Sequence, residues 1–254
     1  MAERATRIFE GIVERWSRCN RSLSDALAGG RVVLELPPDL RRDRSYLIIS
    51  NHRSILDIPL VHRALLDRVP FIRFFAKHEL IFAPVVGLAI WALDMPRMKR
   101  HSREYLAEHP HKRNDDLETT RKMMRRFAQR QSCILNFIEG TRFTRSKCQV
   151  RGGAWHHLLD PKLGGIGYVV GTMGDQLHGV IDLTITYSEE THIFWKFAQG
   201  RLAWRKLRAT LRPLPQQFRT TDILEDSALR EEFRSWIHGL WDEKERLIAQ
   251  DARS

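Results

Sequence analysis

The chain has 254 residues, 43% of them hydrophobic, with 42 lysines and arginines against 31 acidic residues for a net charge of +11. That length suits one α/β domain, with or without a small appendage, and the charge asks for an anionic partner: a phospholipid surface, nucleic acid or a phosphorylated substrate. Cys19, Cys133 and Cys148 have neither metal-ligand spacing nor an even count for a disulfide framework, which fits a reducing compartment; no signal peptide, internal repeat or low-complexity tract is read.

Residues 5–18 set Ile8, Phe9, Ile12, Val13 and Trp16 on one side of a helix, with Arg4, Arg7, Arg15 and Arg18 around the rest. Such a helix either lies in a membrane interface or packs on the domain's own core with its arginines solvated. Arg31 to Leu36 is β-branched enough for a first strand, ended by Pro37-Pro38. Tyr46 to Ile49 is a short apolar run that reads as a buried strand, and Ile58 to Leu66 is apolar at helical spacing. Between them lies Ser50-Asn51-His52-Arg53-Ser54-Ile55-Leu56-Asp57, so His52 sits where a strand ends and a helix is about to begin. Pro59 is accepted in a helix's first turn, which puts Asp57 at that helix's mouth. Five residues of loop and first turn can fold the carboxylate back onto the imidazole, whereas in a continuous helix these two positions point apart. The chemical reading is a dyad in which the carboxylate fixes the tautomer and leaves the other ring nitrogen as a base. The plain alternative is a capping histidine beside a solvated first-turn acid.

Ile72 to Ala76 is a further strand. Leu80 to Leu93 is the most apolar window, broken by Pro84 and Gly87 and short of the ~20 residues that cross a bilayer as a helix. A core helix, a shallowly inserted segment and the wall of an apolar tunnel all fit it. Arg97, Lys99, Arg100 and Arg103 then cluster around His101. Asp115 to Arg130 is a helix with a capping-box-like Asp115 and Glu118, burying Leu117, Met124, Phe127 and Ala128. Cys133 to Leu135 is another buried strand, leading into Phe137-Ile138-Glu139-Gly140-Thr141-Arg142-Phe143-Thr144. At that strand-to-turn junction Gly140 frees the backbone to approach an anion, Arg142 can fork two donors onto a phosphate, and Thr141 adds a hydroxyl. Glu139 accepts from Arg142 or from hydroxyls of a bound substrate; taken alone, the block is also satisfied by a turn with a local salt bridge.

Gly164-Gly165-Ile166-Gly167 lacks the Lys-Ser/Thr of a phosphate loop and reads as close helix packing, with residues 166–177 helical. Val180 to Tyr187 alternates as a strand. The Arg- and Lys-rich residues 205–212 suit an edge strand. Residues 226–248 form an amphipathic helix with Leu229, Phe233, Ile237, Leu240, Lys244 and Leu247 on its packed side.

An Asn51-His52-x4-Asp57 block followed some eighty residues later by Glu139-Gly140-Thr141-Arg142 resembles the glycerolipid acyltransferases, the family that includes 1-acylglycerol-3-phosphate acyltransferase. Gly87 to Arg100 is similar to the family's second motif and Val180 to Tyr187 to its fourth, although the proline common in the fourth is missing. The wider wording around Asn136 to Lys147 resembles the lysocardiolipin acyltransferase-like subgroup and its bacterial relatives; the likeness spans roughly residues 45–190. It implies a single α/β domain with a mixed sheet of five to seven strands flanked by helices, an N-terminal amphipathic segment over 1–30, a catalytic domain over 31–215 and a C-terminal helix over 216–254. It also implies transfer of a fatty acyl group from acyl-CoA or acyl carrier protein to the hydroxyl of a lysophospholipid. His52 and Asp57 are then catalytic, and Asn51, Arg100, Glu139, Gly140, Thr141 and Arg142 bind substrate. No metal or cofactor is expected beyond the thioester co-substrate. The partners are membrane lipid and acyl donor, and the location is peripheral on a membrane's cytoplasmic face. A hydrolase using the same dyad and a nonenzymatic basic membrane-binding module are the alternatives. Nucleic acid is disfavoured, since the sequence has neither the aromatic and basic interleaving of an RNA-recognition motif nor helix-turn-helix spacing.

Overall fold

Six strands build one sheet, and the strand that carries His52 at its end lies inside it. A computed structural model of the chain describes residues 30–74 and 131–252 apart from 221, 222 and 224, positions 8, 11–15, 17–19 and 22, and the backbone alone of 76–77, 97–98 and 220. In chain order the strands are β1 (Arg31–Glu35), β2 (Ser45–Ser50), β3 (Ile72–Phe74), a short pair β4 (Ala76–Lys77) and β5 (Arg97–Met98), β6 (Cys133–Phe137), β7 (Leu177–Tyr187) and β8 (Trp204–Arg212). The helices are α1 (Asp57–Leu65), α2 (Arg145–Arg151), α3 (Leu163–Met173), α4 (Ile193–Ala198), α5 (Gln216–Thr220) and α6 (Ser227–Asp251). The main sheet runs β1-β8-β7-β2-β6-β3. Every neighbouring pair in it is parallel except β7 and β8. The fold is therefore the mixed α/β sheet flanked by helices that the sequence led us to expect.

β2 is buried at every residue. Because side chains alternate across a strand, Leu47 and Ile49 join the core on one face while Tyr46 and Ile48 join the core on the other. A strand covered on both faces has no polar side to show, which is why its sequence is a continuous apolar run. α3, α5 and α6 supply the first core through Ile166, Val169, Phe218, Phe233 and Trp241. α1 and α4 supply the second through Leu60, Val61, Ala64, Leu65 and Ile193.

Two details of the sequence reading are corrected. β8 is interior rather than an edge, because β1 pairs along its outer side. Its basic residues reach acidic partners from distant segments: Arg208 bonds Glu35 and Asp251, Lys206 bonds Asp251 and Arg212 bonds Glu243. α3 starts at Leu163, before the expected 166, and ends at Met173, where a 3-10 turn leads into β7. Burial of Ile166, Val169, Val170 and Met173 outweighs the helix-weakening glycines, and nothing lies within 4 Å of a side chain added at Gly164, so that glycine is not there for close packing.

α6 buries the stripe Leu229, Phe233, Ile237, Leu240 and Ile248, with Leu247 half-buried. Lys244, in the same stripe, is fully buried and donates to Asp182 Oδ1 at 2.6 Å, Leu183 O at 2.7 Å and Thr184 Oγ1 at 3.1 Å. Desolvation pushes its ammonium pKa down while Asp182 pulls it back. Two turns further on, Asp251 accepts from Thr186 Oγ1 at 2.8 Å. These contacts pin β7 from beneath. In the N-terminal stretch, Ile8 and Ile12 are exposed while Arg18 bonds Asp67 at 2.7 Å and Glu14 bonds Arg42 at 2.8 Å. The helix expected over Asp115–Arg130, the Leu80–Leu93 window and Arg100 lie outside the described residues.

Candidate active site

β2, β6 and β7 run parallel side by side, with Ser50 opposite both Phe137 and Leu183. The loops that leave β2 and β6 therefore emerge next to each other, and β7 continues past Leu183 to Tyr187 beside them. The carboxyl ends of parallel strands are where an α/β sheet gathers its site residues.

Asp57 opens α1 with its side chain turned back into the loop. Its Oδ2 lies 2.7 Å from His52 Nδ1 and accepts from the backbone amides of Arg53 at 2.6 Å and Ser54 at 2.9 Å. Its Oδ1 accepts from the Tyr187 hydroxyl at 2.7 Å. The carboxylate has no exposed surface. The two backbone amides make a small nest at a helix start, the local geometry in which a buried carboxylate is held without a full counter-charge. With Nδ1–H donating to Asp57, the lone pair of the imidazole is on Nε2, and the ring keeps 19% of its side-chain surface exposed. The opposite constraint comes from Phe137, whose ring stacks on His52 with centroids 4.1 Å apart.

The two loops are tied to each other. Phe143 N donates to His52 O at 2.7 Å, and His52 N donates to Glu139 Oε1 at 3.3 Å. Glu139 is fully buried and its Oε2 has no hydrogen-bond partner among the described residues. Burial pushes its carboxyl pKa up to about 8, against the pull of the Arg53 charge and the His52 amide. Arg53 itself bonds His157 O at 3.0 Å and lies over the Phe143 ring.

A family model for acyltransferases matches residues 31–187. The chain is an acyltransferase and belongs to that family. Among solved structures it is similar to the 1-acyl-sn-glycerophosphate (LPA) acyltransferase PlsC from Thermotoga maritima, with a TM-score of 0.57 over 98% of this chain and 82% of that one. At 19% identity the likeness is one of fold. No curated protein matches the sequence.

In this acyltransferase the residues expected to bind substrate divide sharply. Asn51 is buried and exchanges two hydrogen bonds with the backbone of Ile185, at 2.9 and 2.8 Å. That amide braces the β2 loop against β7 and has no exposed atom to offer a substrate. Glu139 is likewise interior, and it holds the His52 amide rather than Arg142. Gly140 adopts φ +71°, and a side chain there would come within 3.0 Å of Lys162. Thr141 is half-buried, its hydroxyl accepting from Lys147 Nζ at 3.0 Å. Arg142 is exposed, with no hydrogen-bond or ion-pair partner for its guanidinium among the described residues.

Three contributors escaped the sequence reading: Tyr187, Phe137 and Arg53. Tyr187 had one available signal, its place at the end of an alternating apolar strand, but nothing local says that this strand ends beside Asp57.

Proposed function

We propose that this acyltransferase moves a fatty acyl group from a thioester, acyl-CoA or acyl carrier protein, to the free hydroxyl of a lysophospholipid such as 1-acylglycerol-3-phosphate. The single observation that carries the reading is the 2.7 Å contact of His52 Nδ1 with the buried Asp57 carboxylate, which leaves Nε2 as the base. Nε2 takes the proton of the acceptor hydroxyl as its oxygen attacks the thioester carbonyl. Asp57 stabilises the imidazolium that forms, in the manner of the carboxylate of a hydrolytic triad. The tetrahedral intermediate collapses with cleavage of the C–S bond, and the thiolate recovers the proton from Nε2. The acceptor oxygen is itself the nucleophile, so the scheme asks for no enzyme serine or cysteine and no cofactor beyond the co-substrate.

Arg142 supports recognition of a phosphate-bearing acceptor: it is an exposed guanidinium one residue from Phe143, whose amide bonds His52 O. Arg100 is assigned the same role from its place in the second motif. The acceptor is a membrane lipid and the net charge is +11, which favours peripheral attachment to an anionic cytoplasmic leaflet and a part in phospholipid synthesis or remodelling. No helix among the described residues is long and apolar enough to cross a membrane.

The test is thiol release from acyl-CoA with and without 1-acylglycerol-3-phosphate, with lipid products read by mass spectrometry. Acceptor-dependent release with formation of a diacyl product is the expected outcome. Release of free fatty acid at the same rate without acceptor would make the protein a hydrolase.

A further inference from the structure

We propose that Tyr187 is a positioning residue of the dyad, its hydroxyl holding the Asp57 carboxylate and thereby setting how strongly His52 draws a proton. The inference rests on the proposed role of His52 as general base. It starts from an asymmetry in the way Asp57 is bound. Three donors converge on Oδ2: the imidazole, Arg53 N and Ser54 N. On Oδ1 the Tyr187 hydroxyl, at 2.7 Å, is the donor among the described residues. Both ends of the carboxylate are thus fixed, and its plane cannot turn about the side-chain axis without breaking the tyrosine bond.

The tyrosine is delivered rigidly. It ends the longest strand of the sheet, which is clamped just before it by the β2 loop and by α6. Ile185 exchanges two bonds with Asn51, Thr186 donates to Asp251, and Asp182 with Thr184 receives the buried Lys244. The ring is 8% exposed, and burial beside a carboxylate raises the phenol pKa well above its usual value, so the hydroxyl stays a donor. A site held this way needs no reorganisation when charge develops.

Other titratable groups also face this carboxylate and its tyrosine. Arg53 comes from the same loop, Glu139 from the loop after β6, and Arg205 from β8. All of them stay in place when only the phenolic oxygen is removed. Without that donor Oδ1 is left buried and without a hydrogen-bond partner among the described residues. The carboxylate then carries more uncompensated charge toward Nδ1–H, and the imidazole holds its proton more tightly.

The experiment compares wild type, Tyr187→Phe and a protein with 3-fluorotyrosine at position 187, each checked for cooperative unfolding. In Tyr187→Phe we expect kcat to fall roughly tenfold, because a carboxylate free to turn no longer holds the imidazole in line with the acceptor hydroxyl, a loss that outweighs the stronger pull on Nδ1–H, with both KM values little changed. The acid limb of the kcat/KM profile should move to higher pH. The fluorinated phenol is a stronger donor of nearly the same shape, so its acid limb should move to lower pH. The low-field proton resonance of His52 Nδ1–H should shift in opposite directions in the two proteins, a readout that needs no turnover. Should Tyr187→Phe fail to fold, the fluorotyrosine comparison alone decides. Superimposable profiles and unshifted resonances, in a wild type that transfers acyl groups and loses that activity in His52→Ala, overturn this inference and leave the functional proposal standing. A wild type without acceptor-dependent transfer overturns the functional proposal instead.

Discussion

Replacing Asp57 by asparagine removes one charge from the dyad, and the surrounding donors dictate how the new amide must sit. Two backbone amides, Arg53 N and Ser54 N, point at the Oδ2 position. An amide nitrogen placed there would set donors against donors, so the amide oxygen takes that position and still accepts from His52 Nδ1–H. The NH2 group then faces Tyr187, whose hydroxyl can turn from donor to acceptor. The tautomer survives, and what is lost is the charge that stabilises the imidazolium. Two unit charges about 4 Å apart in a site of effective dielectric ~20 attract by about 4 kcal/mol, and a partly formed imidazolium feels some half of that or more. Asp57→Asn should therefore cost about 2–4 kcal/mol in the transition state, roughly 30- to 1000-fold in kcat. The acid limb of the rate profile should move to lower pH. The assay is saturating thiol release, with thermal unfolding to confirm a native protein. A folded variant within about threefold of wild type would refute the charge argument. A loss near ~10⁴-fold, the scale of a wrong tautomer, would mean that the nest does not orient the amide.

Arg142→Ala should raise KM for a phosphate-bearing acceptor several-fold while leaving KM for the thioester nearly unchanged, measured by varying each substrate in turn; equal damage to both would point to a structural arginine. Glu139 keeps its proton in the native state up to about pH 8, whereas in the unfolded chain it ionises near 4.5, so the native state binds more protons between those values and this group's contribution to stability falls as pH rises. Glu139→Gln should remove that slope and gain on wild type by up to ~1.4 kcal/mol per pH unit from pH 5 to pH 8 in urea unfolding; parallel stability curves would contradict it. Lys244→Met leaves Asp182 and Thr184 facing an apolar group in the interior and should destabilise the fold by about 3–5 kcal/mol. Pairing it with Asp182→Leu should restore part of the loss, and equal midpoints for the single and double variants would show that the ion pair does not explain the effect.

Several parts of this protein are written locally in its sequence. β2 and β6 are legible because strands buried on both faces are continuous apolar runs, and the dyad because His52 and Asp57 share one strand-loop-helix turn only five residues long. The blocks Asn51 to Asp57 and Glu139 to Arg142 are short for the same reason, since each follows directly on the end of one strand. What the sequence withheld depends on which strand lies beside which. Tyr187 reaches Asp57 across 130 positions and Asn51 reaches Ile185 across 134, contacts that exist only because β7 lies next to β2. β8 looked like an edge because it is rich in arginine and lysine, but Glu35, Glu243 and Asp251 are brought to it from distant segments. The family resemblance placed Asn51 and Glu139 among the substrate contacts, and nothing local in the sequence says that both side chains are buried. In the fold Asn51 bonds the β7 backbone at Ile185 and Glu139 accepts from the His52 amide. Residue type and spacing set what each side chain could do; burial, a property of the packed whole, decided which of them stays at the surface.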